Sequence, residues 1–421
     1  MPSHRTSIRL FSSLAVLTFS VMGFGTWACA QQERVLYNFN AYTGIRGPYG
    51  AVIFDKAGNI YGTTSGGGTY SLGAAFELTP NGSGGWTQTV LHNFQDNEVD
   101  GWGPQAGLVL DASGNLYGVT PYGGIYEDGV VFELSPAGGG QWTETVLHNF
   151  NISTDGYQPS ASLVIDKLGN LYGTTASGGT GTNCGEGCGT VFELSPQSGG
   201  GWSFSTVHTF NNDGTDGYRP LYGALVFDAK GNLYGTTNAG GTDNDGIVFE
   251  LSPQGGGVWS ETIIHTFLVN GTDGLYPDGG VIFDAKGNLY GTTDEGGNIF
   301  PGYGTVYELS PSAGGGWTEQ ILFNCVGGVG GTLYPRTSLV MDAKGTLYGT
   351  TVEGGDGWGN VFGLRPTASG WVERTVHSFQ NNRKDAMAPD DPLTVGPDGN
   401  LYGTSSGGGL KVGGTVFEII P

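Results

Sequence analysis

Short apolar runs of about five residues alternate with Gly-, Asn- and Ser-rich turns along almost the whole chain, and the three-and-four spacing of an amphipathic helix is nowhere sustained. The stretch around Gly231 shows the unit. Ala224-Leu225-Val226-Phe227-Asp228 reads as a buried strand, and Ala229 to Gly231 turns the chain. Asn232 to Thr237 returns, and after a glycine-rich loop comes Ile247-Val248-Phe249-Glu250-Leu251. Ser252 to Gly257 turns again into an alternating fourth strand, Trp259 to Phe267. The glycine of Gly-Asn-Leu-Tyr-Gly, or a close variant, falls at Gly58, Gly114, Gly169, Gly231, Gly287, Gly345 and Gly399. Seven four-stranded units at this period predict an all-β fold, a seven-bladed β-propeller.

The ends of the chain support a closed ring. Arg34-Val35-Leu36-Tyr37-Asn38-Phe39 matches the end of a fourth strand, whereas the chain stops after a third strand, Gly414 to Ile419. The spare N-terminal strand can complete the last blade and remove an exposed edge. An open solenoid would need polar caps at both ends.

Composition narrows the compartment and the partners. Residues 1–30 carry Arg5 and Arg9, an apolar run from Leu10 to Gly25, and Ala28-Cys29-Ala30, the pattern of a secretory signal peptide. The expected domains are therefore a signal peptide at 1–30 and one propeller at 31–421, secreted or periplasmic. Cleavage leaves 14 basic against 38 acidic side chains, a net charge of −24. Nucleic acid is excluded as a partner, since its phosphates require clustered Lys and Arg. No later stretch is apolar for long enough to span a membrane, and the chain reads as a monomer. Export permits disulfides. Cys184 and Cys188 read as a small-loop staple, with Cys325 left single, because no Cys or His cluster beside them completes a zinc site.

The repeat Gly-Asn-Leu-Tyr-Gly-Thr-Thr, then Gly-Gly, then Gly-Thr-Val-Phe-Glu-Leu-Ser-Pro resembles that of the GloVer family of exported bacterial proteins, named for Gloeobacter and Verrucomicrobia. The resemblance runs from Arg34 to Pro421 and implies architecture and export, but no activity. Its members often end in a surface anchor; here the chain ends at Pro421, so release or periplasmic residence is expected.

A repeat separates scaffold from site. Seven aligned tyrosines (Tyr61 to Tyr402) and six tryptophans opening the fourth strand read as packing residues. His92, His148, His208, His265 and His377 share a fourth-strand position filled elsewhere by Tyr37 and Phe323, which points to a flat ring rather than a catalytic base or metal ligand. The aligned Asp before the first turn and Glu on the third strand read as scaffold as well.

Two loop sets should share one face, the blade-to-blade crossings and the loops between second and third strands. The crossings carry Asp100-Gly-Trp102, Asp155-Gly-Tyr157, Asp216-Gly-Tyr218 and Asp273-Gly-Leu-Tyr276, each closing on a proline. These read first as Asx-type turns and, functionally, as carboxylates and aromatics around the channel mouth. With Tyr122 and Trp358 from the variable loops, they form the expected ligand-binding set. Calcium is conceivable at an Asp-rich loop such as Asp243-Asn244-Asp245, although the full EF-hand loop is absent. No phosphate loop or nucleophile elbow occurs, so no catalytic residue or metal ligand is assigned.

The expected function is non-catalytic recognition of an extracellular carbohydrate or protein. The rivals are a secreted polysaccharide hydrolase or lyase with carboxylates near the channel, and a structural envelope protein.

Overall fold

A computed structural model describes residues 33–298, 302–328 and 330–421. The signal-peptide reading and Phe300 lie outside these residues. The protein is all-β, a propeller of seven four-stranded antiparallel blades. Blade 1 is Arg46–Phe54, Ile60–Gly66, Ala74–Pro80 and Trp86–Asn93, and five further blades repeat it in chain order. Blade 7 combines Thr394–Val395, Leu401–Ser405 and Val412–Ile419 with Glu33–Asn40, which adds antiparallel to the last of these as the outermost strand. The ring therefore closes as expected: the third strand of blade 7 is covered, and the blade has four strands like the others.

The repeat sentence explains the packing. In six blades the second strand is five residues long and wholly buried. In blades 1 to 5 its tyrosine lies against the tryptophan of the next blade, as in Tyr117–Trp202 at 5.7 Å between ring centroids. The glycine after that tyrosine admits the phenylalanine of the third strand. A Cβ on Gly235 would stand 2.6 Å from Phe249 Cζ, so any other residue would force this buried ring to move. A further phenylalanine, just past each fourth strand, packs edge-on against the third-strand ring of the following blade, as Phe94 does on Phe132. At one interface the buried thiol of Cys325 takes this place.

The first strand departs from the sequence reading. Outside blade 1 it pairs over two residues, such as Val226–Phe227, rather than five. Its preceding residues bond sideways instead: Thr236 Oγ1 donates to the Gly279 carbonyl of the next blade, and Gly280 N donates to Ser338 Oγ. Near the axis, the ladder gives way to blade-to-blade bonds.

Candidate functional site

The two variable loop sets do share a face, and they are zipped together. Gly101–Trp102 pairs with Tyr122–Gly123, Gly217–Tyr218 with Ala239–Gly240, and Gly274–Leu275 with Glu295–Gly296, each as a two-residue ribbon. The residue before the crossing proline adopts a left-handed conformation. This holds for five non-glycine residues, Gln158, Arg219, Tyr276, Tyr334 and Ala388 (φ between 52° and 60°). Repeated strain of this kind persists only where surrounding contacts enforce it. Here it turns each crossing sharply toward the axis.

Beyond that proline each crossing delivers one side chain to the channel, three residues before the buried Leu or Val that opens the blade. Around the ring these are Tyr49, Gln105, Ser160, Tyr222, Asp278, Arg336 and Asp390, and all seven line one cavity of about 230 Å³. Tyr222 is exposed over 54% of its surface. In the buried layer of second-strand tyrosine and glycine and third-strand phenylalanine the blades nearly agree. At the channel position no residue type occurs more than twice.

The electrostatics of the cavity are uneven. Arg336 Nε donates to Asp294 Oδ1 at 2.7 Å, which neutralises one carboxylate. Asp278 forms no direct ion pair among the described residues. It accepts from Asn238 Nδ2 at 2.6 Å, and burial, with Asp294 nearby, pushes its carboxyl up to about 6, although Arg336 lies near enough to draw it down. Asp391 is buried behind the ring, held by Gly50 N (2.6 Å) and Thr404 Oγ1 (2.9 Å), and burial pushes it up to about 7. The cavity thus combines tyrosine faces, hydroxyls, an amide and carboxyls that burial raises toward neutrality.

The expected site residues divide. Trp102, Tyr122 and Tyr157 come together: Trp102 stacks on Tyr122 (4.5 Å, 24°), and Gln158 Nε2 donates to both Tyr157 Oη (3.0 Å) and Tyr122 Oη (3.4 Å). Trp102 is half-buried with one face already covered, so it is not the open platform expected of it. Tyr218 and Tyr276 are half-buried in their own crossings, with Tyr276 beside Asp245. Trp358 is 38% exposed on blade 6, across the ring from Trp102 and outside the cavity.

Asp100, Asp155, Asp216 and Asp273 do not ring the channel mouth. Each turns under its own crossing to accept a backbone N–H four or five residues upstream, as Asp100 Oδ2 does from Gln95 N (3.1 Å) and Asp216 Oδ2 from Asn211 N (2.8 Å). Each also faces the outer-strand histidine of its blade, with His92 Nε2 at 2.9 Å from Asp100 and His148 Nε2 at 3.0 Å from Asp155. The histidines stack edge-on to the following phenylalanine, so they are packing rings and carboxylate partners together. Cys184 and Cys188 are joined, with Cα atoms 5.3 Å apart. Asp243 accepts from Val269 N, and Asp245 is buried.

The sequence model of the Gloeobacter/Verrucomicrobia repeat matches residues 24–225, 139–302 and 180–370, in overlapping copies that cover most of the chain. The chain belongs to the Gloeobacter/Verrucomicrobia repeat family. Among curated proteins no relative matches. Solved structures resemble this repeat protein at low identity. The extracellular domain of a protein described as a hybrid two-component system, from B. thetaiotaomicron, is 11% identical with a TM-score of 0.56; the match covers 92% of this chain and 39% of that one. A protein of unknown function from Dyadobacter fermentans is 14% identical with a TM-score of 0.44, covering 92% and 96%. A Thermus thermophilus protein described as an oxidoreductase (glucose dehydrogenase) is 15% identical with a TM-score of 0.43, covering 93% and 100%. Among the described residues of the repeat protein no helix is long and apolar enough to cross a membrane.

Proposed function

We propose that this protein is an exported recognition module that binds an extracellular saccharide at the crossing-loop mouth of its central channel. One observation carries the reading: the seven blades, alike in the ring layer that packs them together, each bring their own polar or aromatic side chain to a single cavity. Tyr49 and Tyr222 offer ring faces for a sugar, while Gln105, Ser160, Asp278 and Asp390 offer acceptors and donors for its hydroxyls. The Trp102–Tyr122–Tyr157 shelf extends the surface on one side. Export agrees with the secretory pattern of residues 1–30, and the extracellular neighbour from B. thetaiotaomicron lends the same direction.

A second reading has its own observation. Burial raises the carboxyls of Asp278 and Asp391 beside the cavity to about 6 and about 7, in the direction a glycoside-cleaving acid requires. Incubating the purified protein with insoluble polysaccharides, and scoring retention on the solid and release of soluble sugar in the same tube, separates the two. Retention without release, lost in Tyr222→Ala, supports recognition. Release of sugar, lost in Asp278→Asn, replaces it with hydrolysis or lysis. Neither retention nor release ends both readings and leaves a protein partner or an envelope role.

A further inference from the structure

At the outer ends of the blades, the histidine of one fourth strand and the aspartate of the following crossing meet a third group, a glutamate on the fourth strand of the next blade. His92, Asp100 and Glu144 meet between blades 1 and 2. His208, Asp216 and Glu261 meet between blades 3 and 4, and His265, Asp273 and Glu319 between blades 4 and 5. In each set, one ligand atom per residue lies within 4.8 Å of the others. In the last two, His Nε2 stands 3.5 and 3.4 Å from the Asp oxygen, and 3.6 Å from Glu Oε1 in both. Donors around a tetrahedral ion with bonds of ~2.0–2.2 Å are separated by roughly 3.3–3.6 Å.

A second observation is independent of this spacing. Buried polar atoms nearly always have a hydrogen-bond partner, yet Glu144 Oε1, Glu261 Oε1, Glu319 Oε1, His208 Nε2 and His265 Nε2 are sealed from solvent without one. So are Asp100 Oδ1 and Asp273 Oδ1, on side chains only 4% and 3% exposed. Three of the four remaining blade interfaces act as internal controls. Between blades 2 and 3 the glutamate is replaced by Phe204, which stacks on His148 at 3.9 Å, and neither His148 nor Asp155 leaves an orphaned atom. Between blades 5 and 6 the histidine is replaced by Phe323, and Glu373 accepts from Thr332 Oγ1. Between blades 6 and 7, Glu33 Oε1 accepts from Ala386 N, so that set has no orphaned atom either. Unmet donors and acceptors collect where all three residue types meet and the backbone does not intervene.

We infer that these three interfaces are binding sites for a divalent cation of zinc type, with one imidazole and two carboxylates from adjacent blades as ligands. An imidazole beside carboxylates suits a borderline ion such as Zn²⁺, whereas Ca²⁺ and Mg²⁺ take oxygen. The two carboxylates balance the charge of the ion, which ties neighbouring blades together across their outer strands.

The test is a count of bound metal. Untagged protein is stripped with chelator, equilibrated with Zn²⁺ in the presence of excess Ca²⁺, freed of loose ion by gel filtration and assayed by plasma mass spectrometry. Three zinc ions per chain are expected. Glu261→Gln lowers the count to two, and Phe204→Glu, which completes the missing triad beside His148 and Asp155, raises it to four. Circular dichroism confirms that each variant is folded, and either variant alone carries the test should the other fail to fold. Protein that retains no zinc overturns the proposal, leaving the three sites as carboxyl pairs sharing protons. A count indifferent to both substitutions overturns it as well.

Discussion

The channel ring and the layer of rings behind it occupy the same seven blades and follow opposite rules. In the layer, Tyr, Gly and Phe recur because the space they fill recurs: the glycine that admits Phe249 in blade 4 admits Phe132 in blade 2. At the channel, equivalent positions carry Tyr, Gln, Ser, Tyr, Asp, Arg and Asp. Seven-fold packing constrains a position to one residue type. A ligand, which has no seven-fold symmetry, asks for different groups at each blade. Agreement among repeats therefore marks support, and disagreement marks a candidate for contact.

The strongest way to break this comparison is through stability. Phe249→Ala opens a cavity in a fully buried layer and is expected to cost about 3–5 kcal/mol, seen as a large fall in Tm. Tyr222→Ala, at an exposed channel position, should change stability by about 0.5 kcal/mol or less. Equal losses in the two variants would mean that the channel ring is scaffold.

The next largest effect is on ligand retention. Asp390→Asn should weaken saccharide binding about tenfold or more, since a hydrogen bond to a charged group contributes ~1.5–3 kcal/mol. Loss of the stacking face in Tyr222→Ala should weaken it by about tenfold. Binding isotherms on the retained polysaccharide measure it. Phe249→Ala, assayed well below its melting temperature, should bind as the parent does.

Blade number, strand order and ring closure were legible because each rests on a pattern repeated seven times. The channel ring was legible in principle but hidden. The eye is drawn to Asp-Gly-aromatic-Pro, whereas the contact residues follow the proline, and an extra residue, Leu221, shifts blade 4 out of register. The role of the crossing aspartates also had a signal. In the two crossings where Tyr37 and Phe323 replace histidine, Gly44 and Gly331 stand where the other crossings carry aspartate. Histidine and aspartate are kept or lost together, which is the mark of a contact. No pattern within one repeat reveals Glu144 beside His92, because the contact joins adjacent blades through space.

A third test is in pH. Burial raises the folded-state carboxyls of Asp278 to about 6 and Asp391 to about 7, above the ordinary carboxylate value. Raised acids stabilise the fold while protonated. That contribution is complete below about pH 4 and is lost as pH rises through 6 and 7. Asp391→Asn removes the charge, keeps one acceptor oxygen for Gly50 N and turns an amide donor toward Thr404 Oγ1. It should therefore reduce the stability lost between pH 5 and pH 8 by on the order of 2 kcal/mol, read from denaturant melts at the two pH values. An unchanged pH slope in this variant would remove Asp391 from the account.

The smallest expected effect separates the channel from the rim. Trp358 is partly exposed on blade 6 and outside the cavity, and Trp102 already gives one face to Tyr122. Aromatic residues on a variable loop suggest a sugar platform, but a platform needs an open face beside groups that hold the hydroxyls. Trp358 has no place in the cavity lining where those groups converge, so Trp358→Ala should change retention by less than about twofold, within the range of a peripheral contact. Trp102→Ala should fall between this and Tyr222→Ala, because it loosens Tyr122 at the edge of the shelf rather than removing a contact at the channel. If Trp358→Ala instead abolished retention while Tyr222→Ala did not, the ligand would lie on the outer loops. Disagreement among the channel residues would then have some other cause.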